Sequence, residues 1–448
     1  MPQKEEINPV LLEDAVGVTL IRMVTPTLFA VIERGIFNIA DTFFISRLGS
    51  EALSALSFTF PVVLFYNNLS IGISAGSSII VSKTIGSKDF PQAQQLANNS
   101  LLLGFLTSLI LLIIGLIIMD PLFHLLGATN QELLLIKQYM TIWFWGLFFV
   151  IVPKISNALL RALGDMKTPG LVITMAVLLN IILDPLLIFG LGPFPRMGIS
   201  GAALATVISR SVTFFIPLWK LWSKEKLIKL NFTNFSTLFS SWRQIFYLGI
   251  PISLTKIIAP LAMGIIVNFV SFYGSVAVVA FGIASRFEFF ILAFIRSLGI
   301  ALRYFLGQNW GAKLYKRSRS AIKWSINFSL IFGLSSFILL LFIAPHVAAI
   351  FTDDCQVITN VNIYFRFIAL GYGFYGILLI STEALNVLKR PFHSLTLNII
   401  QLASCTFMAS VASNTFGLKG IFGAIMCSYF LSGLLANLSL KKVLRQYK

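Results

Sequence analysis

The chain has 448 residues, of which 57% are hydrophobic and 11% charged, and its mean hydropathy is +0.87. Soluble globular domains carry about 25% charged residues, so this composition excludes one and predicts a polytopic membrane protein. The formal net charge of +17 would suit a nucleic-acid binder. Here, though, Lys and Arg recur between apolar stretches instead of covering one soluble face, and no nucleic-acid partner is expected.

The chain opens with MPQKEEINPVLLEDAVG, which carries acids and lacks a short apolar core with a small-residue cleavage site, so no removable signal peptide is predicted. A bilayer crossing takes about 20 apolar residues. The apolar runs predict twelve helical spans, at 18–46, 52–80, 92–118, 134–158, 168–192, 198–222, 244–272, 276–306, 319–344, 359–388, 392–416 and 418–440. The fold class is therefore an all-α membrane protein.

The first span carries Pro26, which removes a backbone hydrogen bond and permits a kink, and, further along, Asp41. Asn38 precedes Asp41 by one turn on the same face, with Arg34 a further turn back. The fifth span contains AVLLNIILDPLLIFG, in which Asn180 and Asp184 are four residues apart and face one way. A charged side chain at the bilayer centre costs about 2.5 to 3.5 kcal/mol on insertion scales, so Asp41 and Asp184 are functional candidates. Two close carboxylates in low dielectric do not both ionise cheaply, which makes the pair a candidate protonation switch with Asn180 as an amide donor. The plain alternative pairs Asp41 with Arg34 and leaves Asp184 accepting hydrogen bonds beside Pro185. Glu33 is expected to pair locally or to line a cavity mouth.

The basic connector KEKLIKLNFTNFSTLFSSWRQ precedes the seventh span. The spans that follow carry Lys256, Arg286, Glu288, Arg296, Arg303 and Glu383. Arg286 and Glu288 are two apart, do not face each other on a helix, and each require a partner from another span. Arg303 is expected to snorkel to the membrane surface. Arg286, Glu288, Arg296 and Glu383 are candidates for cargo contact. Cys355, Cys405 and Cys427 are odd in number and scattered, as are the three His residues, so neither a disulfide framework nor a metal site is predicted.

Sliding the chain on itself by 225 residues superposes Pro26 on Pro251, Gly49 on Gly274, and Gly86, Lys88 and Phe90 on Gly311, Lys313 and Tyr315. Further on, GISGAAL from Gly198 matches GLKGIFG from Gly417. The expected domains are a six-helix lobe at 1–222, a cytoplasmic connector at 223–243 and a second six-helix lobe at 244–448, related by a pseudo-two-fold along the membrane normal. Twenty Lys and Arg fall on one side of the predicted spans, and only Arg47, Lys137, Arg196 and Lys419 on the other. The positive-inside rule then places both termini in the cytoplasm of an inner-membrane protein.

The motifs IADTFFISRLGSEALSALSF, NALLRALGDMKTPG, LLNIILDPLLIFG, GISGAALAT and GQNWGA, in this order and on these spans, resemble the multidrug and toxic compound extrusion (MATE) family. The likeness covers essentially the whole chain. It implies a monomeric antiporter that exports cationic or amphipathic small molecules by alternating access, driven by a proton or sodium gradient and without a cofactor. The family's first-lobe constellation falls on Asp41, Asn180 and Asp184, with Tyr139 on the fourth span as a further candidate and Pro26 as the bending point, similar to the DinF-like branch. The sodium-coupled NorM-like branch uses an acid on the seventh span. This chain has IPISLTKIIAPLAMG there, without a carboxylate, which favours protons.

Arg296, in AFIRSLG where relatives often have proline, and Lys256 depart from the pattern and would suit anionic or zwitterionic cargo. One rival function is a flippase for a lipid-linked saccharide or other anionic amphiphile, although such relatives usually have about fourteen spans. Another is an intramembrane aspartyl protease, which would need GxGD where this chain has Leu163, Gly164 and Asp165. No phosphate-binding loop for ATP is present, and the chain is not expected to be an enzyme.

Overall fold

The computed structural model describes residues 10–229 and 234–446. A short α1 (Val10–Glu13) leads into α2 (Val16–Ser46), α3 (Ser50–Gly86), α4 (Phe90–Leu125), α5 (Asn130–Trp145), α6 (Phe148–Ala162), α7 (Lys167–Phe189) and α8 (Ile199–Ser223). Beyond the connector come α9 (Phe235–Ser271), α10 (Ser275–Gly311), α11 (Tyr315–Ala349), α12 (Cys355–Ile368), α13 (Tyr372–Val387) and α14 (Pro391–Arg445). No strand occurs among the described residues.

Ten helical stretches are long and apolar enough to cross a membrane, and α5 with α6, bent by 43° at their junction, form an eleventh. The twelfth crossing is hidden in α14. Its 55 residues are interrupted at Gly417, whose φ of 62° and ψ of −142° are not helical. Those angles lie in a region that residues with a Cβ rarely enter, so the chain turns there into two arms, at 391–416 and 418–445. Twelve crossings and an all-helical fold agree with the sequence expectation.

Polarity runs inside out, as in any bilayer protein. Ile117, Leu125 and Phe342 are 72%, 85% and 72% exposed, while Ser77, Ser82, Asn180 and Asp184 are fully buried.

The molecule comprises two packing units. One takes in Pro26–Ser253, the other Leu11–Thr25 and 254–446. The domains expected from the repeat, divided at 223–243, follow the chain, whereas these units cut through two helices. The division falls at Pro26 in α2 and two residues beyond Pro251 in α9, positions equivalent under the 225-residue repeat. The core of the first unit gathers Tyr66, Phe123, Ile136, Tyr139, Trp143 and Phe144. Tyr66 and Trp143 meet edge to face at 5.8 Å, a favoured aromatic geometry. The core of the second is built on Phe281, Tyr364, Phe365, Tyr372 and Phe422.

Within the first unit, α3 and the start of α9 approach backbone to backbone. A Cβ on Gly72 would lie 2.3 Å from the Gly249 carbonyl oxygen, and one on Gly76 2.6 Å from the Ile245 carbonyl oxygen. The start of α9 is also tied to α4 by Trp242 Nε1, which donates to the Asn99 carbonyl at 2.9 Å.

The turns show a regular division of labour. Positive φ at residues with a side chain is confined, among the described residues, to Lys88, Lys226, Lys313 and Lys389. Each follows an even-numbered span. Five of the six connections after odd-numbered spans use glycine for the same purpose, at Gly49, Gly127, Gly190, Gly192, Gly198, Gly274 and Gly417; the connection after the ninth span has no positive φ, and Gly164 follows the fourth span.

Candidate functional site

Four helices of the first unit carry the candidate site. α2 supplies Asp41 five residues before its end, α5 supplies Tyr139, α7 supplies Asn180 and Asp184, and α8 supplies Arg210. On α7 the four-residue spacing stacks two polar side chains on one face, and Asn180 Nδ2 donates to Asp184 Oδ1 at 3.1 Å. Pro185 follows directly and cannot donate its backbone nitrogen to the preceding turn. The helix is therefore weakened at the carboxylate.

Three acceptor oxygens in this cluster are buried without a hydrogen-bond partner: Asp41 Oδ1, Asp184 Oδ2 and Asn180 Oδ1. A buried acceptor left unsatisfied costs about 1 to 3 kcal/mol, more if charged. These unsatisfied acceptors offer a place for a proton or a small cation. The charges of Asp41 and Asp184 act on each other and on the Tyr139 hydroxyl, so the structure brings all four predicted residues together.

Sequence reasoning missed Arg210. Its guanidinium carbon sits 5.2 Å from the centroid of the Phe37 ring, and its charge acts on Asp41 and Tyr139. Among the described residues no ion pair or hydrogen bond joins it to either carboxylate, so it is a resident cation held on an aromatic face beside the acids. The signal was present: an Arg twelve residues into an apolar span is as costly as an acid there. The alternative partner Arg34, and Asn38, have side chains outside the described residues. Glu33 does not pair locally: it accepts a hydrogen bond from Thr174 Oγ1 of α7 at 2.5 Å. Pro26 packs against α7, where a Cβ on Gly170 would lie 3.4 Å from the proline Cβ.

In the second unit Arg303 departs from expectation. It does not snorkel: it is 6% exposed, and Nε and Nη2 make two 2.7 Å hydrogen bonds to Glu383 of α13. The bidentate fork matches a carboxylate across two helices, and for a guanidinium at this depth such a partner replaces the water it gives up. Glu383, a candidate for cargo contact, is therefore held by Arg303. Glu288 accepts hydrogen bonds from Tyr364, at short range, and from Tyr429 at 3.3 Å, so its partners do come from other spans. Arg296 lies with its guanidinium carbon 5.1 Å from the Phe289 ring centroid and near enough to Glu288 for their charges to interact. Arg286 is exposed, with no ion pair or hydrogen bond among the described residues.

Outside the spans, Asp165 binds Lys220 Nζ at 2.7 Å and accepts from the Thr168 backbone at 3.0 Å. Burial works to raise this carboxyl, but Lys220 and Thr168 together hold it below its usual range. This is a structural clip between two spans.

A duplicated bundle of twelve apolar helices, with acids and a cation set inside its crossings, defines a membrane transporter and not an enzyme. The family model described as MatE matches the chain twice, at residues 26–186 and 251–411, the same 225-residue offset, and the chain belongs to that family. It is 36% identical over 425 residues, 95% of this chain and 94% of the relative, to a protein of Shewanella oneidensis named FAD transporter. It is 26% identical to the multidrug export protein MepA of Staphylococcus aureus, over 90% of this chain and 88% of the relative. The crystal structure of the Vibrio cholerae MATE transporter VcmN in the bent form superposes with a TM-score of 0.90 at 25% identity, covering 96% of this chain and 98% of that one.

Proposed function

We propose that this chain is a secondary active antiporter that exports amphipathic aromatic small molecules in exchange for protons. It works by alternating access from a bacterial inner membrane with both termini in the cytoplasm. The observation that carries the coupling role is the set of unpartnered buried oxygens on Asp41, Asn180 and Asp184. The cluster favours protons over sodium: a sodium ion would need several oxygen ligands and room beside Arg210, whereas a proton needs one lone pair. With both carboxylates ionised the cluster attracts a proton from outside. Neutralising it changes the charge inside the membrane, and that change biases which side the molecule faces. Each charge moved across 100 mV supplies about 2.3 kcal/mol.

For cargo, the basic side chains Lys256, Arg286 and Arg296 of the second unit favour an anionic aromatic molecule of the flavin dinucleotide class. The name of the Shewanella relative agrees with this. An anion also leaves the cell down the electrical gradient, while a cation leaves against it. A second reading, export of cationic drugs, draws on the acids of the first unit and on the multidrug relatives. Efflux of FAD and of ethidium from vesicles containing the purified chain, with the proton and sodium gradients collapsed separately, tests both. FAD movement that stops only when the proton gradient is lost is the expected result. Transport that follows sodium alone overturns the coupling, and ethidium movement without FAD overturns the cargo.

A further inference from the structure

We propose that the membrane-surface end of α14 holds a binding site for an anionic phospholipid. An open cavity of about 560 Å³ lies between the first turn of α14 and its last three turns, with Arg390, His393, Lys442 and Gln446 as polar lining and Leu435 and Leu438 as apolar lining. No acidic residue lines it.

Both walls are pre-set. Arg390 follows the left-handed Lys389 and donates its backbone nitrogen to the Leu385 carbonyl at 2.9 Å. Its Nη2 lies 3.5 Å from Gln446 Oε1 on the opposite wall. The end of α14 is in turn tied down by Arg319, whose Nη2 donates to the Leu444 carbonyl at 3.1 Å. Two permanent cations, an imidazole and an amide converging on one open space form a donor set for a phosphate.

The apolar side selects the kind of phosphate. Leu438 lies one turn, and Leu435 two turns, before Lys442, so about 6 to 10 Å deeper along the helix. Leu438, Leu434 and Leu431, spaced by four and three residues, are 62%, 51% and 37% exposed. They form a leucine track that leads from the cationic mouth along the bilayer-facing helix, with the shape and polarity of a headgroup joined to an acyl chain. A soluble phosphate has no use for such a track. Basic pockets at helix ends on the cytoplasmic side are where anionic headgroups collect. The site shares no residue with the acid cluster of the first unit and does not depend on the transport reading.

The test is native mass spectrometry of the full chain in detergent, titrated with phosphatidylglycerol and with phosphatidylcholine of the same acyl chains. Preferential phosphatidylglycerol binding is expected. Each basic residue at an anionic lipid surface is worth about fivefold, so Arg390→Gln combined with Lys442→Gln is expected to weaken that binding about 25-fold. Lys88→Gln with Lys313→Gln, an equal charge change elsewhere, is expected to leave it within twofold, and Leu438→Asn to weaken it several-fold. An equal loss in the control pair, or equal binding of the two lipids, would overturn the site. Complete displacement by millimolar glycerol phosphate, which has no acyl chain, would assign the cavity to a soluble anion and overturn the lipid proposal.

Discussion

At the level of single residues, the proposed coupling rests on Asp41 and Asp184, with the charge of Arg210 beside them. Asp41→Asn and Asp184→Asn are each expected to leave folded protein in the membrane and to abolish gradient-driven efflux, measured in energised vesicles. Arg210→Met removes the built-in cation, so binding of radiolabelled sodium should appear in the variant and be absent from the parent. Arg303→Met takes the bidentate partner from the buried Glu383, and breaking a buried pair in this way costs about 3 to 5 kcal/mol. Thermal unfolding in detergent should show a loss of that order. Asp41, Asn180 and Asp184 were legible in the sequence because a carboxylate in an apolar run stands out by cost alone, and Asn180 and Asp184 share a helical turn. Arg210 was not, because which face of α8 meets α2 is decided by packing between spans. For the same reason Arg303 and Glu383, 80 residues apart, were visible singly and not as a pair.

Among helices, the seam of α3 with the start of α9 is a close backbone approach. Gly76→Val would place side-chain atoms where the Ile245 carbonyl now lies, and overpacking of this kind costs about 1 to 3 kcal/mol, which detergent unfolding would register. The clip between Asp165 and Lys220 makes a pH-dependent contribution whose sign follows from its direction. The folded carboxyl sits below its ordinary value of 3.8, so the stabilisation is complete above that value and is lost as the pH falls through the lower folded one. Unfolding midpoints of the parent and of Asp165→Asn should differ at neutral pH and converge only once the pH has fallen below the folded value, which lies under 3.8. The twelve crossings could be counted from apolar length, including the one concealed by the break at Gly417. The 43° bend between α5 and α6 could not, because no proline stands at the junction and a single glycine, Gly146, does not fix an angle.

For the whole molecule, the repeat was readable because Pro, Gly and Lys landmarks recur at one offset. The packing units were not, because α2 and α9 each contribute to both. If the molecule bends where the units divide, Pro26→Ala should retain cargo binding, measured by fluorescence titration, while slowing turnover. An unchanged turnover rate would remove Pro26 from the mechanism.

The lysines at left-handed turns carry a consequence for biogenesis. A side chain in that conformation costs roughly 1 to 2 kcal/mol, and glycine would adopt it freely, as it does after five of the six odd-numbered spans. Lys88, Lys226, Lys313 and Lys389 therefore mark positions where relaxed backbone geometry has been given up for a cation beside the lipid headgroups. Exchanging all four for glycine should raise the melting temperature while part of the newly made protein threads into the bilayer upside down, which surface labelling of a terminal tag would reveal.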